Sequence, residues 1–157
     1  MTSVLAAIFI LAVLLLLYDL RRRWSDRRMG ASSDGQALPP GFTRVHIFSG
    51  VFDTEADLFA YCFTPITDNG PEPLNLDLPE ASVNTRFVEA AFDDQIQDVL
   101  SQYLPSAARA RFSALMRDDN ALLLIFEAAF DGLDYRLHNT PRLRHLGFET
   151  LALPAQD

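Results

Sequence analysis

Three histidines are the side chains of this chain best suited to acid–base chemistry near neutral pH. Strand alternation places His46 and His145 each on a predicted strand, and His138 falls in a predicted loop. On those elements they could converge with Asp53 or Glu127 to form a site. Scattered surface histidines are the more common arrangement, so the histidines alone do not predict a catalytic centre.

The single cysteine, Cys62, would need a neighbouring histidine to act as a nucleophile. It falls instead on an apolar helical face beside Phe59 and Phe63, which predicts a buried, unreactive thiol. The sequence also lacks a phosphate-binding loop, a G-x-S-x-G pattern and a Cys/His cluster with metal-ligand spacing. We therefore expect no enzyme activity, no metal and no cofactor.

Carboxylates cluster at two predicted helix starts, and together they form the candidate partner-binding surface. They are Asp53, Glu55 and Asp57 at the first helix and Asp93, Asp94 and Asp98 at the second. Acidic residues complement the positive N-terminal end of any helix, so helix stabilisation alone explains each group. If both helix starts lie at one edge of the sheet, however, they form a single negative patch.

The charge is divided unevenly along the chain. Residues 1–40 carry a net charge of +2, and residues 41–157 carry −10, which together give the total of −8. A domain of this charge repels phosphate backbones, which argues against direct nucleic-acid binding. It attracts a basic protein partner and speeds the encounter, although high solubility alone also accounts for an acidic surface.

Residues 1–20 are predicted to form a transmembrane anchor. The run VLAAIFILAVLLLLY (residues 4–18) contains no charge, and five arginines follow it within residues 21–28. A secretory signal has the opposite order, with basic residues before the apolar run. Positive charge marks the cytoplasmic side, so we expect a single-pass protein of the inner membrane with its soluble domain in the cytoplasm.

Two alternatives for this segment stay open. The arginines could simply bind anionic headgroups, or translation could start at Met29 and give a soluble protein. Residues 21–41 are otherwise interpreted as a basic juxtamembrane segment and linker, because residues 29–41 are rich in Gly, Ser and Pro.

Residues 42–157 are predicted to form one small α+β domain with about four mainly antiparallel strands and helices on one face. The predicted strands are 42–51, 85–92, 121–130 and 142–151, the last two as a possible hairpin. The predicted helices run from 53 or 54 to about 64, from 95 to 103 and from 105 to about 117, with a loop at 64–80. Residues 121–130 are the most hydrophobic stretch of the domain, which predicts a central strand covered on both faces.

The stretch VHIFSGVFDTEADLFAY resembles the opening of a family of bacterial polymorphic-toxin immunity proteins, the immunity protein 22 type. Gly50 and Phe52 match a Gly-x-Phe motif of that family, and Tyr61 matches a tyrosine near the end of its first helix. The later segments FVEAAFDD, LPSAARARF, NALLLIFEAAFDG and LRHLGFE, which contains Gly147, follow in the family's order. Phe48 stands where the family tends to carry Trp, and the N-terminal anchor is not typical of it.

The resemblance implies a small α+β protein that neutralises a cognate toxin, often a nuclease, without catalysis. The expected function is therefore that of a membrane-anchored immunity protein with a basic toxin as its partner. The alternative is a membrane-anchored structural or adaptor module of the bacterial cell envelope. The gene next to this one would distinguish the two, since a toxin gene favours the first and an envelope operon the second.

Overall fold

The structure of the protein is a computed structural model that describes residues 38–153. The predicted anchor at residues 1–20 and residues 21–37 of the predicted linker lie outside the described residues. Within 38–153, no helix is both long enough and apolar enough to cross a membrane.

Four strands, four α-helices and two short 3-10 helices make up the described domain. In chain order they are β1 Phe42–Gly50, α1 Glu55–Phe63, α2 Pro73–Asp77, a 3-10 helix Thr85–Phe87, β2 Val88–Phe92, α3 Gln95–Tyr103, α4 Ser106–Met116, β3 Ala121–Phe126, a 3-10 helix Glu127–Phe130 and β4 Leu143–Ala152. The α+β class and the four antiparallel strands predicted from the sequence are confirmed.

The strands form one sheet in the order β2-β3-β1-β4. The strand β1 is central, with β3 on one side and β4 on the other. The predicted hairpin of the last two strands is therefore wrong, because β4 passes β3 and pairs with the first strand instead. The long connection at residues 131–142 carries the chain across to that edge.

Helices cover both faces of the sheet, so the prediction of helices on one face is wrong. On the first face, Leu123 and Ile125 of β3 pack in one core with Leu58 of α1 and Leu74 of α2. On the second face, a separate core holds α3 and α4, and it contains the other buried leucines of β3. Alternation along β3 feeds both cores, since neighbouring side chains on a strand point to opposite faces.

The hydrophobic run of β3 was predicted correctly as a strand buried on both faces, but it is shorter than expected. All five residues of Ala121–Ile125 are fully buried, and the chain then turns into a 3-10 helix at Glu127. The segment predicted as a strand from 85 likewise begins with a 3-10 helix, and the predicted loop 64–80 contains α2. In each case a short helical turn lies where the sequence pattern predicted a strand or a loop.

Candidate functional site

The N-terminal ends of α1 and α3 lie side by side at one edge of the domain. The Nε2 atom of Gln95, the first residue of α3, donates a hydrogen bond of 2.8 Å to Oε1 of Glu55, the first residue of α1. The condition that the sequence left open, that the two acidic helix starts share one edge, is met by this contact. We call the six carboxylates of these helix starts the acidic edge.

The side chain of Asn120 fixes the segment that enters α1. Its Oδ1 accepts a hydrogen bond from the backbone N–H of Phe52 at 2.9 Å, and its Nδ2 donates to the Phe52 carbonyl at 2.8 Å. The carbonyl of Asn120 accepts from the backbone N–H of Asp93 at 2.9 Å. Asn120, the residue just before β3, therefore positions both halves of the acidic edge.

All six side chains of the acidic edge are exposed. Within residues 38–153, none of them lies within ion-pair distance of an arginine. Asp57 has a structural role, because its backbone N–H and its carboxylate both hydrogen-bond the hydroxyl of Thr54, the N-cap of α1. Asp94 is the N-cap residue of α3, but its side chain makes no capping hydrogen bond. The edge thus presents charge that residues 38–153 leave unneutralised.

Three of the four family-motif residues meet at a corner beside the acidic edge. The rings of Phe52 and Tyr61 lie 5.5 Å apart between centroids, and the Arg142 guanidinium stacks over both rings, at 4.6 Å and 5.7 Å. A Cβ atom at Gly50 would lie only 2.3 Å from the Arg142 carbonyl oxygen, so the corner requires glycine there. These residues therefore build the corner and need no direct part in binding.

The fourth motif residue, Gly147, lies on β4 at a distance from that corner. The register between β1 and β4 shifts by one residue between Ile47 and Phe48, which leaves an extra residue on β4 as a β-bulge. Gly147 sits at this bulge with φ +120°, a conformation that L side chains rarely adopt. The structure explains its identity by backbone geometry.

A shallow groove of about 320 Å³ adjoins the same corner, between the end of β1 and the start of β4. Arg144 on its wall donates to Asp119 Oδ2 at 2.5 Å, and that carboxylate also accepts from Ser49. The same guanidinium reaches the carbonyls of Leu115 and Met116 at the C-terminal end of α4. Arg144 therefore ties β4 to α4 and satisfies helix carbonyls that have no partner within the helix.

A buried polar cluster lies on the first face of the sheet, away from the acidic edge. The side chain of His46 is fully buried, and its Nε2 lies 2.8 Å from the hydroxyl of Tyr135. That hydroxyl donates to Glu127 Oε2 at 2.7 Å, and Arg44 lies 3.7 Å from the same carboxylate oxygen. The ring of His145 lies 5.5 Å from that of His46 between centroids.

Burial shifts the pKa values of both histidines strongly downward. The pKa of His46 falls to about 3, first because of burial and then because of the nearby His145 and Arg44. Burial also lowers the pKa of His145 to about 4, and His138 adds to the shift. The Gly147 backbone raises the pKa of His145 and offsets part of that lowering, although neither ring nitrogen of His145 has a hydrogen-bond partner among residues 38–153. Both rings are therefore neutral at physiological pH.

The sequence allows the three histidines to converge with Asp53 or Glu127, and the structure brings His46, His145 and Glu127 together. Asp53 is not among them, since it lies on the acidic edge. No pattern in the sequence marks Tyr135, whose hydroxyl joins His46 to Glu127. Arg44 and His46 alternate with apolar residues on β1. Polar residues in that pattern on a central strand were the signal from which the buried cluster could have been predicted.

The predicted burial of the cysteine is confirmed. The Cys62 side chain is fully buried in the first core, and burial raises its pKa to about 12, which favours the protonated thiol at neutral pH. Among residues 38–153, no group of three or more His, Cys, Asp and Glu side chains has the arrangement of a metal site.

No family model, curated protein or solved structure matches the chain. The resemblance to the immunity family therefore stays a prediction from short motifs.

Proposed function

We propose that this chain is a membrane-anchored immunity protein, which binds and neutralises a basic toxin domain without catalysis. The observation that carries the proposal is the hydrogen bond from Gln95 to Glu55, because it joins two acidic helix starts into one exposed surface. The expected toxin class is a nuclease, since a protein that binds nucleic acid presents a basic surface. An acidic edge is complementary to such a surface and would exclude the substrate from it.

The absence of ion pairs at the acidic edge within residues 38–153 supports binding over a purely structural role. Other carboxylates of the domain are engaged by arginine, as Asp119 is by Arg144 and Glu149 is by Arg111. An exposed cluster of like charges repels itself and favours a cationic partner. The side chains of Val51 and Phe59, which flank or follow the start of α1, are exposed by 63% and 40% and could supply apolar contacts beside the charged ones.

The membrane anchor and its orientation belong to the same proposal. An apolar run followed by arginines favours a cytoplasmic location for the domain, where an imported nuclease would act. A reporter fused after Asp157 should therefore be active in the cytoplasm. Activity of a periplasm-only reporter at that position would overturn the orientation, and neither result would depend on the identity of the partner.

Co-expression with the toxin encoded by the neighbouring gene tests the function. We expect the wild-type chain to protect cells, and we expect protection to fall in the double variant Asp53→Arg, Asp98→Arg. The matched control is Asp68→Arg, Asp134→Arg, which changes the net charge by the same amount on two loops outside the acidic edge. The three proteins are compared at equal abundance.

The outcomes separate the competing functions. Equal loss of protection in both double variants would show that total charge matters and that the acidic edge does not. Failure of the wild-type chain to protect would remove the immunity function for that toxin. Recovery of an envelope protein with the wild-type chain, lost in the Asp53→Arg, Asp98→Arg variant, would favour the adaptor function for the same surface.

A further inference from the structure

The connection between the second 3-10 helix and β4 crosses the buried histidines and contains no helix or strand. We call residues 131–142 the strap. Tyr135 holds one part of it down, because its ring stacks on Phe130 at 3.6 Å and its hydroxyl contacts His46 and Glu127. Asn139 holds the other part, since its Oδ1 accepts from the backbone N–H of His145 at 2.8 Å.

The hydrogen-bond chain through Tyr135 fixes the tautomer of His46. A tyrosine hydroxyl has one proton, and here that proton goes to the Glu127 carboxylate. The Tyr135 oxygen must then accept from His46, so the neutral ring carries its proton on Nε2. The remaining nitrogen, Nδ1, is the position that a second proton would take.

The Nδ1 position of His46 is closed off from solvent. The Nδ1 atom of His46 is buried without a hydrogen-bond partner in the described residues. Phe130, Tyr135 and Phe148 surround the ring, with centroids 5.4–5.9 Å from that of His46. A proton on Nδ1 would therefore create a buried donor with no acceptor, which the closed arrangement cannot accommodate.

The charged and titratable groups around the ring come from every element packed against it. They are Arg44 on β1, Glu127 on the 3-10 helix, Tyr135 and His138 on the strap, and His145 on β4. Arg44 and a protonated His145 both oppose a positive charge on His46. Glu127 would favour a positive charge on His46, but its carboxylate is already engaged by Tyr135 and Arg44.

We propose that the strap is an acid-released element, closed while His46 and His145 are neutral and opened when they take up protons. Opening lets water reach both rings and uncovers the aromatic side chains of the first core beneath Tyr135. The pairing of β3 with β1 and β2 persists in this local opening, because those two registers do not involve the strap.

Protonation linkage sets the expected size of the effect. Both histidines have a lower pKa in the closed state than the ordinary value of 6.5. Below that value, each histidine raises the ratio of open to closed strap by up to about tenfold per pH unit. Two histidines acting together give up to about 100-fold per unit, until their closed-state pKa values are approached.

Amide hydrogen exchange measured by mass spectrometry tests the proposal on the full chain in a mild nonionic detergent. After correction for the intrinsic pH dependence of exchange, protection of residues 131–142 should fall steeply between pH 6.5 and pH 5. Protection of β3 should also decrease, because the unfolded chain takes up the same protons, but it should remain higher than that of the strap at every pH. Equal protection of β3 and the strap at each pH would mean that the strap opens only by global unfolding and would overturn the proposal.

Variants identify the groups responsible. His46→Gln keeps a side-chain N–H donor without a titratable ring, so the pH slope of strap opening should fall by about half. The pair His46→Gln, His145→Gln should abolish the slope, and His138→Gln serves as the matched control that should leave most of it. An unchanged slope in the double variant would overturn the assignment to these histidines.

A further variant keeps the test decisive should the glutamine variants not fold. Tyr135→Phe retains the ring that stacks on Phe130 and removes the hydroxyl that joins His46 to Glu127. We expect the strap to open more at every pH in this variant while the steep pH slope remains, because both histidines are still buried. A strap with wild-type protection at pH 7 in this variant would show that Tyr135 does not hold it closed.

Discussion

Gln95 donates a 2.8 Å hydrogen bond to Glu55, and this single contact joins the first turns of two helices that lie 40 positions apart in the chain. The two helices cover opposite faces of the sheet, α1 on the first and α3 on the second. Their N-terminal ends nevertheless meet, because β2 is the edge strand next to both helices. One surface beside the edge strand therefore carries acidic residues from helices on both faces of the sheet.

Charge reversal on the acidic edge should slow association with a basic toxin. Steering acts on the association rate and is screened over about 8 Å at physiological salt. For Asp53→Arg, Asp98→Arg we expect a decrease in the association rate on the order of tenfold at low salt. The salt dependence should weaken as well. Stopped-flow binding over a salt series measures both, and an equal change in Asp68→Arg, Asp134→Arg would contradict a local effect.

The strand β3 should be indispensable for folding. Ile125 is fully buried, between His46 of β1 and Val88 of β2 in the sheet. Ile125→Asp would bury an unpaired charge, and we expect a loss of more than about 4 kcal/mol in the free energy of unfolding. Leu133→Asp is the control, because Leu133 is 62% exposed. Circular dichroism during urea titration compares them, and a cooperative wild-type transition in Ile125→Asp would contradict a central β3.

Gly50→Ala should destabilise the corner that carries Phe52 and Tyr61. The added Cβ would meet the Arg142 carbonyl oxygen at 2.3 Å, and a backbone atom cannot move aside as a flexible side chain can. We expect a loss of about 1–3 kcal/mol in the free energy of unfolding, as for other overpacked sites. The adjacent Val51→Ala should change little, because Val51 is 63% exposed. Equal melting temperatures for the two variants would contradict the proposed close approach.

The free energy of unfolding should fall in mild acid. The folded pKa values of His46 and His145 lie below 6.5, so the unfolded chain binds more protons between those values and 6.5. Their contribution to stability is therefore complete above pH 6.5 and is lost as the pH falls toward 4. At pH 5 each histidine should account for a loss of about 2 kcal/mol. Urea titrations at pH 7 and pH 5 measure it, and an equal loss in His46→Gln, His145→Gln would assign it to other groups.

Local patterns predicted the elements of this domain better than their arrangement. The alternation of Val45 and Ile47 against Phe48 gave the first strand and its two faces, and Ile96 and Leu100 gave the buried face of α3. The pairing of β4 with β1 was missed because proximity in sequence favoured β3, and no local signal marks a strand that crosses the sheet. The covering of both faces by helices was missed for a related reason, since no local signal assigns a helix to one face. The buried run of β3 nevertheless required helices on both faces.

The candidate surface was predictable in composition but not in position. Six carboxylates at two helix starts could be read from the sequence, whereas their meeting depends on Asn120 and on the contact from Gln95. The buried cluster was harder still. Tyr135 lies in a segment without periodic pattern, and only the folded connection shows that its hydroxyl reaches His46.

The first and last strands of the described domain pair with each other, and this has a consequence for synthesis on the ribosome. Phe42 lies opposite Ala152, and the backbone N–H of Leu153 donates to the Gly41 carbonyl at 2.7 Å. The β1 edge that receives β4 stays unpaired until β4 itself has been synthesised, because β4 is the last strand of the described domain. The sheet of this domain is therefore completed only once β4 has left the ribosome, at the slow rate typical of contacts between distant parts of a chain. The same adjacency of Gly41 and Leu153 makes the domain a candidate for circular permutation, since a short peptide could join the two positions.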